Sequence, residues 1–434
     1  MSRDSLASWL RYLETLHPNE MDLGLDRVRE VAQRLDLLPV EVPVVTVAGT
    51  NGKGTTAAVM EAVLVELDRV VGVCSSPHFF RFNERIRVSG AEVDDAVIVE
   101  SFEQIDHARR DISLTYFEFA TLAALWVFKR LNVEIMVLEV GLGGRLDAVN
   151  IVDASVAVIT SIALDHQQWL GSTRESIGAE KAGVLRRERP AVIADPDPPE
   201  SVIKLIDELS VQAYFLGRDF ALHDDRGGPD HQTHWHGWLS TRNGSKQQLP
   251  ELPRESLLPV NICAALQALT LLGISFQDQQ LHTALSRIKL RGRRERQELA
   301  GRRYILDVAH NPAAVDKLLE YINLSNGNGK IIALFSVMAD KDVAQMIGAC
   351  TGRFDEWFLG DQPEVPRACT AAFLASELSR QGHQLVRRCE NIPQAFRQAQ
   401  STMSAGDTLV VFGSFFTVAS VLPLLDEDRR KTKL

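Results

Sequence analysis

Cysteine is scarce in this 434-residue chain: Cys74, Cys263, Cys350, Cys369 and Cys389 are odd in number and never spaced as CxxC. That excludes a disulfide framework and a zinc site as organising features, and a reducing cytoplasm is the expected compartment. Long apolar runs are missing too. No stretch approaches the roughly 20 apolar residues of a bilayer span. The opening MSRDSLASWLRYLE puts charges on both sides of a short apolar patch, unlike the apolar core of a secretory signal. Excess positive charge is also lacking: 47 Lys and Arg against 57 Asp and Glu leave −10. A general nucleic-acid binder needs a basic surface, so neither nucleic acid nor membrane is expected as a partner.

What is present suits an α/β protein. Hydrophobic residues at 45% are enough for an ordinary core, and the length favours two or three domains. Continuous apolar runs at 42–48, 134–140, 155–160 and 191–194 read as strands buried on both faces, which is how a parallel sheet reads. A glycine-rich turn at 49–54 follows the first run, and 55–67 has helical spacing with Val59, Val63 and Leu67 on one face. A second alternating series has strands expected at 304–308, 330–335, 356–359 and 408–412. Between the series lies the basic stretch KLRGRRER, 289–296. We expect a P-loop-type domain with a mostly parallel sheet over 1–292 and a smaller Rossmann-like domain over 293–434. The polar, His-rich segment 217–248 reads as loops or short hairpins.

The clearest chemical signal is VTVAGTNGKGTT, 45–56. A strand runs into glycines, a lysine and two hydroxyls that open a helix. Such a turn lets backbone N–H groups converge on phosphate oxygens, backed by the helix N-terminus. Lys53 would hold the terminal phosphates, and Thr55 or Thr56 could reach phosphate or Mg²⁺. The match to GxxxxGK[ST] is imperfect: Val47 stands at the first glycine and Gly54 is inserted after Lys53.

Other candidates sit at strand ends, where ligands bind in parallel sheets. Glu139 closes EIMVLEV and could hold Mg²⁺. His166, in SIALDHQQWLG, follows the next strand; Asp165 beside it is the rival metal contact, and the Ser76 hydroxyl is a third candidate. Lys181, in GAEKAGV, is either a phosphate contact or an exposed helix lysine paired with Glu180. Asp307 and His310 lie in YILDVAHNP, where an acid at a strand end can accept from a ribose hydroxyl. Arg293 could reach phosphates or be one charge of a solvated run. His231, His234 and His236, with His223 nearby, lack the scaffold a metal site needs.

Together the segments DLGLDR (22–27), AGTNGKGTT (48–56), SSPHFFRFNERIRV (75–88), SLTYFEFATLAAL (113–125), LEVGLGGRLDAVN (138–150), SIALDHQQWLG (161–171), ESIGAEKAGV (175–184) and LDVAHNP (306–312) resemble the bifunctional dihydrofolate synthase/folylpolyglutamate synthase family, relatives of the Mur ligases. The resemblance implies an ATP- and Mg²⁺-dependent ligase that adds L-glutamate to dihydropteroate and to reduced folates. It implies ATP contacts at Thr50, Asn51, Gly52, Lys53, Gly54, Thr55, Asn261, Arg293 and Asp307, and metal ligands at Ser76, Glu139 and His166. It implies pterin contacts at Asp22, Leu23, Gly24, Thr115, Leu146, Asp147 and Ala148, and a carbamylated lysine at Lys181. Lys53, His166 and Lys181 are the expected catalytic set. Activation through an acyl phosphate, a site between the two domains and a monomeric state are expected. The alternative is another Mur-type amide ligase with a non-folate acceptor. Two departures stand out. The hinge segment reads RGRRERQ rather than PGRFQ, leaving Arg293 and Arg294 as alternatives, and GSFFTV carries Phe416 where the family has His.

Overall fold

The computed structural model describes residues 4–19, 21–224, 234–253, 257–325 and 329–432. The chain divides into two compact units, Met1–Ile288 and Lys289–Leu434. The division falls at the start of the basic stretch.

The first unit is built on an eight-stranded sheet: β1 (Val44–Ala48), β2 (Val71–Cys74), β3 (Ile86–Val88), β4 (Ala91–Glu92), β5 (Ile135–Glu139), β6 (Val156–Ile159), β7 (Pro190–Ile193) and β8 (Gln212–Phe215), in the order β4-β3-β2-β5-β1-β6-β7-β8. β3 is antiparallel to both its neighbours, β2 and β4, and the remaining neighbours are parallel. Every residue of β1, β5 and β6 is buried, which explains their unbroken apolar reading. β1 lies between β5 and β6, so the chain leaves it toward one side through β2 and later crosses to the other through β6. Such a switch point opens a crevice at the carboxyl ends of the strands. The glycine turn, Glu139 and the segment after β6 all lie there.

Helix Lys53–Glu66 follows β1 directly and starts two residues earlier than its apolar spacing suggests, because Lys53 and Gly54 already belong to the first turn. An aromatic cluster fills the core on the β2–β3 side: Trp9, Phe82, Phe102 and Phe119 stack edge-on or tilted with centroids 5.3–6.4 Å apart, a spacing that favours such pairs. A small antiparallel sheet completes the unit, made of β9 (Ala221–Asp224), β10 (His234–Ser240), β11 (Lys246–Gln248) and β12 (Leu252–Pro253). It occupies much of the segment expected as loops or short hairpins.

The second unit holds β13 (Glu295–Leu299), β14 (Arg302–Leu306), β15 (Ile331–Phe335), β16 (Glu356–Gly360), β17 (Val386–Cys389) and β18 (Thr408–Phe412), ordered β13-β14-β18-β15-β16-β17. Only β13 is antiparallel to its neighbour. Asp307 and Ser336 follow β14 and β15, and Gly413 follows β18, so all three share the carboxyl edge of this sheet.

Candidate functional site

The turn after β1 has a shape that only glycine allows at two points. Gly49 has φ +145°, and a Cβ there would lie 1.8 Å from Thr160 Oγ1; Gly52 has φ +94°, and its Cβ would lie 2.4 Å from Asn261 Oδ1. Asn261 is buried in helix Pro259–Leu271, and its carboxamide has no hydrogen-bond partner among the described residues. It thus faces the turn with its polar capacity unspent. The turn is pinned to the segment after β6: Thr50 N–H donates to the Ser161 carbonyl at 2.6 Å, Thr50 Oγ1 donates to the Ala163 carbonyl and accepts from Ala163 N–H, and Asn51 N–H donates to Ser161 Oγ. Gly52 is the N-cap of helix Lys53–Glu66, so the unsatisfied N–H groups of the first helical turn point out of the loop. A concave backbone, exposed donors and a helix N-terminus make an anion cradle.

Two lysines meet at this cradle. Lys53 Nζ donates to the Gly49 and Thr50 carbonyls, at 3.0 and 3.2 Å. Lys181 Nζ donates to the same Gly49 oxygen at 3.0 Å. Lys181 is 4% exposed and is not paired with Glu180, which bonds Arg145 instead. Burial, followed by repulsion from Lys53, pushes its pKa down to about 7, against the pull of Asp165 and Asp147. A buried lysine held near neutrality is a nucleophile at physiological pH, whereas a surface lysine is not.

The expected metal ligands come from three strand ends. Glu139 ends β5 in register with Val47 of β1, is 3% exposed, and accepts from Ser76 N–H at 3.3 Å. That contact joins two of the three. His166 sits after β6 with φ +50°, in the left-handed region a non-glycine residue rarely occupies. Its N–H donates to Asp165 Oδ1, and its Nε2 is 4.0 Å from Asp165 Oδ2. Among the described residues no three His, Cys, Asp or Glu side chains are grouped to hold a metal. The expected set contains only two such residues, its third being Ser76. A buried carboxylate and a hydroxyl-bearing residue at neighbouring strand ends suit a hard cation, which takes oxygen ligands including phosphate and water; the imidazole of His166 is the less usual member of the set. Of the histidine-rich segment, His231 lies outside the described residues, and His236 is 3.7 Å from Glu251 on an exposed edge.

Six of the seven expected pterin residues lie on loops that carry polar backbone, and two of them are tied into one network. Arg27 donates to Asp22 Oδ2 at 2.7 Å and through Nε to both Glu118 oxygens at 2.8 and 2.9 Å. Glu118 also accepts from the N–H and the hydroxyl of Thr115, whose own Oγ1 caps helix Tyr116–Arg130. Asp22 and Thr115, far apart in sequence, thus share one frame through Arg27 and Glu118. Neither of the latter was singled out from sequence. The Thr115-x-x-Glu118 spacing of a capping box was the available signal. Glu118 is 4% exposed and Arg27 23%. Arg27→Met strands that carboxylate in the interior, and the expected loss of stability is about 3 kcal/mol, the lower end for a broken buried pair. Urea unfolding checks it. Asp147 is buried and spends both oxygens on backbone N–H groups of Leu142 and Val149. Burial raises its pKa to about 6 despite those bonds. Its side chain shapes the turn between Leu146 and Ala148. Leu23, Leu146 and Gly24 are half-buried, and a Cβ at Gly24 would meet nothing within 4 Å.

In the second unit, Asp307 accepts from the N–H groups of Arg294 and Ala309, at 2.9 and 2.8 Å, and burial raises its pKa. The two arginines are now distinguishable. Arg294 has φ +51°, lies over the Tyr321 ring and donates to the Lys317 carbonyl. Arg293 lies over Phe415 at 5.8 Å and has no ion-pair or hydrogen-bond partner for its side chain among the described residues. The guanidinium available to a ligand is therefore that of Arg293. Phe416 is 48% exposed at the same sheet edge, so no imidazole chemistry is available at that position.

This geometry matches known proteins closely. The Mur ligase middle domain model matches residues 47–237, and the Mur ligase glutamate ligase domain model matches 292–415. The dihydrofolate synthase/folylpolyglutamate synthase of Escherichia coli K12 is 41% identical over 98% of this chain and 96% of its own length. The chain belongs to the dihydrofolate synthase/folylpolyglutamate synthase family. The Haemophilus influenzae member is 36% identical over 95% of this chain and 96% of its own. Among solved members of the family, E. coli FolC in complex with DHPP and ADP superposes with a TM-score of 0.90 at 41% identity, covering 98% of this chain and 99% of that one. A bifunctional member with Mn, AMPPNP and L-glutamate bound gives 0.88 at 42% identity, covering 98% of each chain.

Proposed function

We propose that this chain is an ATP-dependent ligase that joins L-glutamate to dihydropteroate, and to the γ-carboxylate of reduced folates. The observation that carries this reading is the glycine cradle of the first unit, with Lys53 and Lys181 on one carbonyl, in a chain alike over nearly its whole length to bifunctional folate ligases. Residues 1–292 are the nucleotide and pterin part, and 293–434 the glutamate-ligase part.

A carboxylate is a poor acyl donor because its leaving group would be oxide. The acceptor carboxylate oxygen attacks the γ-phosphorus of ATP, the bond to the β-phosphate oxygen breaks, and ADP leaves. The glutamate amine then attacks the acyl-phosphate carbon, inorganic phosphate departs, and the nitrogen loses a proton. In the first step the backbone donors of Gly52, Gly54 and Thr55 and the Lys53 ammonium oppose the charge gathering on the phosphate oxygens, and fixed donors need no reorganisation as that charge moves. Ser76, Glu139 and His166 would hold Mg²⁺, which supplies further neutralisation when bound. Asn261, Arg293 and Asp307 contact the nucleotide. Asp22, Leu23, Gly24, Thr115, Leu146, Asp147 and Ala148 frame the pterin, with Arg27 and Glu118 fixing the first and fourth of these. The enzyme works as a cytoplasmic monomer; all five cysteines are free and buried, and no described helix is long and apolar enough to cross a membrane.

The test is ADP release by purified protein. Release that needs both glutamate and dihydropteroate, and again both glutamate and tetrahydrofolate, is the expected result. Release with a UDP-linked acceptor and none with pterins would replace the reading by a different Mur-type ligase.

A further inference from the structure

We infer that Arg174 and Asp195 are positioning residues for the nucleotide loop, acting through the backbone of Ile162. The inference rests on the cradle binding nucleotide, as proposed above. The loop's backbone is tied to a neighbouring segment as well as to Lys53. Its contacts after β6 run to two residues that flank a third: Ser161 takes Thr50 N–H and exchanges hydrogen bonds with the Asn51 backbone, and Ala163 exchanges two with the Thr50 hydroxyl. The residue between them makes no contact with the loop in these bonds. Instead both polar atoms of its peptide are gripped from the other side. Ile162 N–H donates to Asp195 Oδ2 at 2.6 Å, and the Ile162 carbonyl accepts from Arg174 Nε at 3.0 Å.

The two gripping side chains are also joined to each other. Arg174 lies 3.3 Å from Asp195 Oδ1, and its other nitrogens reach Asp197 Oδ2 at 3.0 Å and the Asp197 carbonyl at 2.6 Å. Asp195 Oδ1 further accepts from Asp197 N–H. Asp195 comes just past β7, and Arg174 opens helix Arg174–Ala182, the helix that carries Lys181. Asp195 is 5% exposed, and a buried carboxylate persists where its lone pairs are taken. Here they are taken by a cation and by the segment that templates the loop. Residues 161–163 are not in a strand, so no sheet ladder would hold them if the clamp were gone. The same segment runs on to Asp165 and His166, so one clamp sets both the cradle wall and the His166 backbone.

Arg174→Ala and Asp195→Asn test this. Arg174 is 40% exposed, so its removal leaves no cavity, and Asp195→Asn keeps the shape while removing the charge. In each, the dissociation constant of AMPPNP with Mg²⁺, read by titration calorimetry, is expected to rise about tenfold, the order given by loss of a hydrogen bond to a charged group. The dissociation constant of dihydropteroate, measured without nucleotide, should not move. Arg174→Lys should recover only part of the loss, because one ammonium cannot donate to Ile162 and both carboxylates in the guanidinium's planar fork. AMPPNP affinity unchanged in both variants would overturn the clamp, and so would equal weakening of nucleotide and pterin, the mark of a general structural role. Wild-type protein that does not bind AMPPNP would overturn the cradle reading itself, and the clamp with it.

Discussion

Lys53→Ala is expected to lower glutamate-dependent ADP release by about three orders of magnitude while the protein stays folded. One preorganised group facing developing charge typically accounts for 10²–10³ in rate; Lys53 stands at the upper end because phosphoryl transfer consists almost wholly of positioning and charge neutralisation. Its amine hydrogen-bonds the Gly49 and Thr50 carbonyls, and those two residues have other ties, Gly49 to Lys181 Nζ and Thr50 to Ser161 and Ala163. Truncation should therefore leave the far-UV spectrum and the melting temperature nearly unchanged. Ligation near the wild-type rate would remove Lys53 from the mechanism. A second readout is internal. Lys53 is one cause of the lowered Lys181 pKa, so in the variant Lys181 should titrate higher.

Lys181→Ala should cost about 10²–10³ in rate as well, the range for removing one preorganised charged group from such a site, and the residue is expected to make the protein sensitive to carbon dioxide. With its pKa pushed down to about 7, a substantial share of the amine is neutral at physiological pH, unlike that of a surface lysine. A neutral amine adds to CO₂ through its nitrogen lone pair, loses a proton and becomes a carbamate, which exchanges a cation for an anion beside the cradle. Protein kept free of CO₂ should therefore lose activity and regain it on adding bicarbonate. At fixed dissolved CO₂ the initial rate of recovery should climb through pH 7 and level off about one unit above it. Recovery that ignores pH, or activity indifferent to bicarbonate, would argue against the modification. The unmodified form carries a stability signature of known sign. The folded pKa lies below the usual lysine value, so between about 7 and 10 the unfolded chain binds more protons, and stability rises with pH in that window. Below it both states are protonated and the penalty of burying the charge is complete. Urea midpoints of CO₂-free protein at pH 7 and pH 9 give the comparison, with Lys181→Met as the flat reference.

Much of this site could be read from sequence because its chemistry is local. The glycines, the lysine and the helix start of 49–56 are consecutive, and the strand before them is apolar because both its faces are covered. Glu139 was readable for the same reason, as a charge closing an apolar run. Lys181 was harder. It was weighed as an exposed partner of Glu180, yet neighbours on a helix point in different directions and do not pair well, a signal already present in GAEKAGV. Arg27 with Glu118, and Arg174 with Asp195, were not readable. Each pair is made by packing of segments that no spacing rule connects, and an arginine in a sequence does not announce whether it faces water. β13 escaped for a different reason: ERQEL is an edge strand with alternating half-exposed residues, and its charges resembled the end of the basic stretch before it.

The placement of β1 between β5 and β6 has a consequence for synthesis on the ribosome. The glycine stretch emerges early, but Thr160, Ser161, Ala163 and Asp195 follow more than a hundred residues later, and Asn261 later still. A nascent chain therefore displays the motif long before it owns the walls that mould it. Trapped intermediates that end before Asn261 should ignore nucleotide, so ATP is available to rescue the almost finished chain and has nothing to offer a younger one.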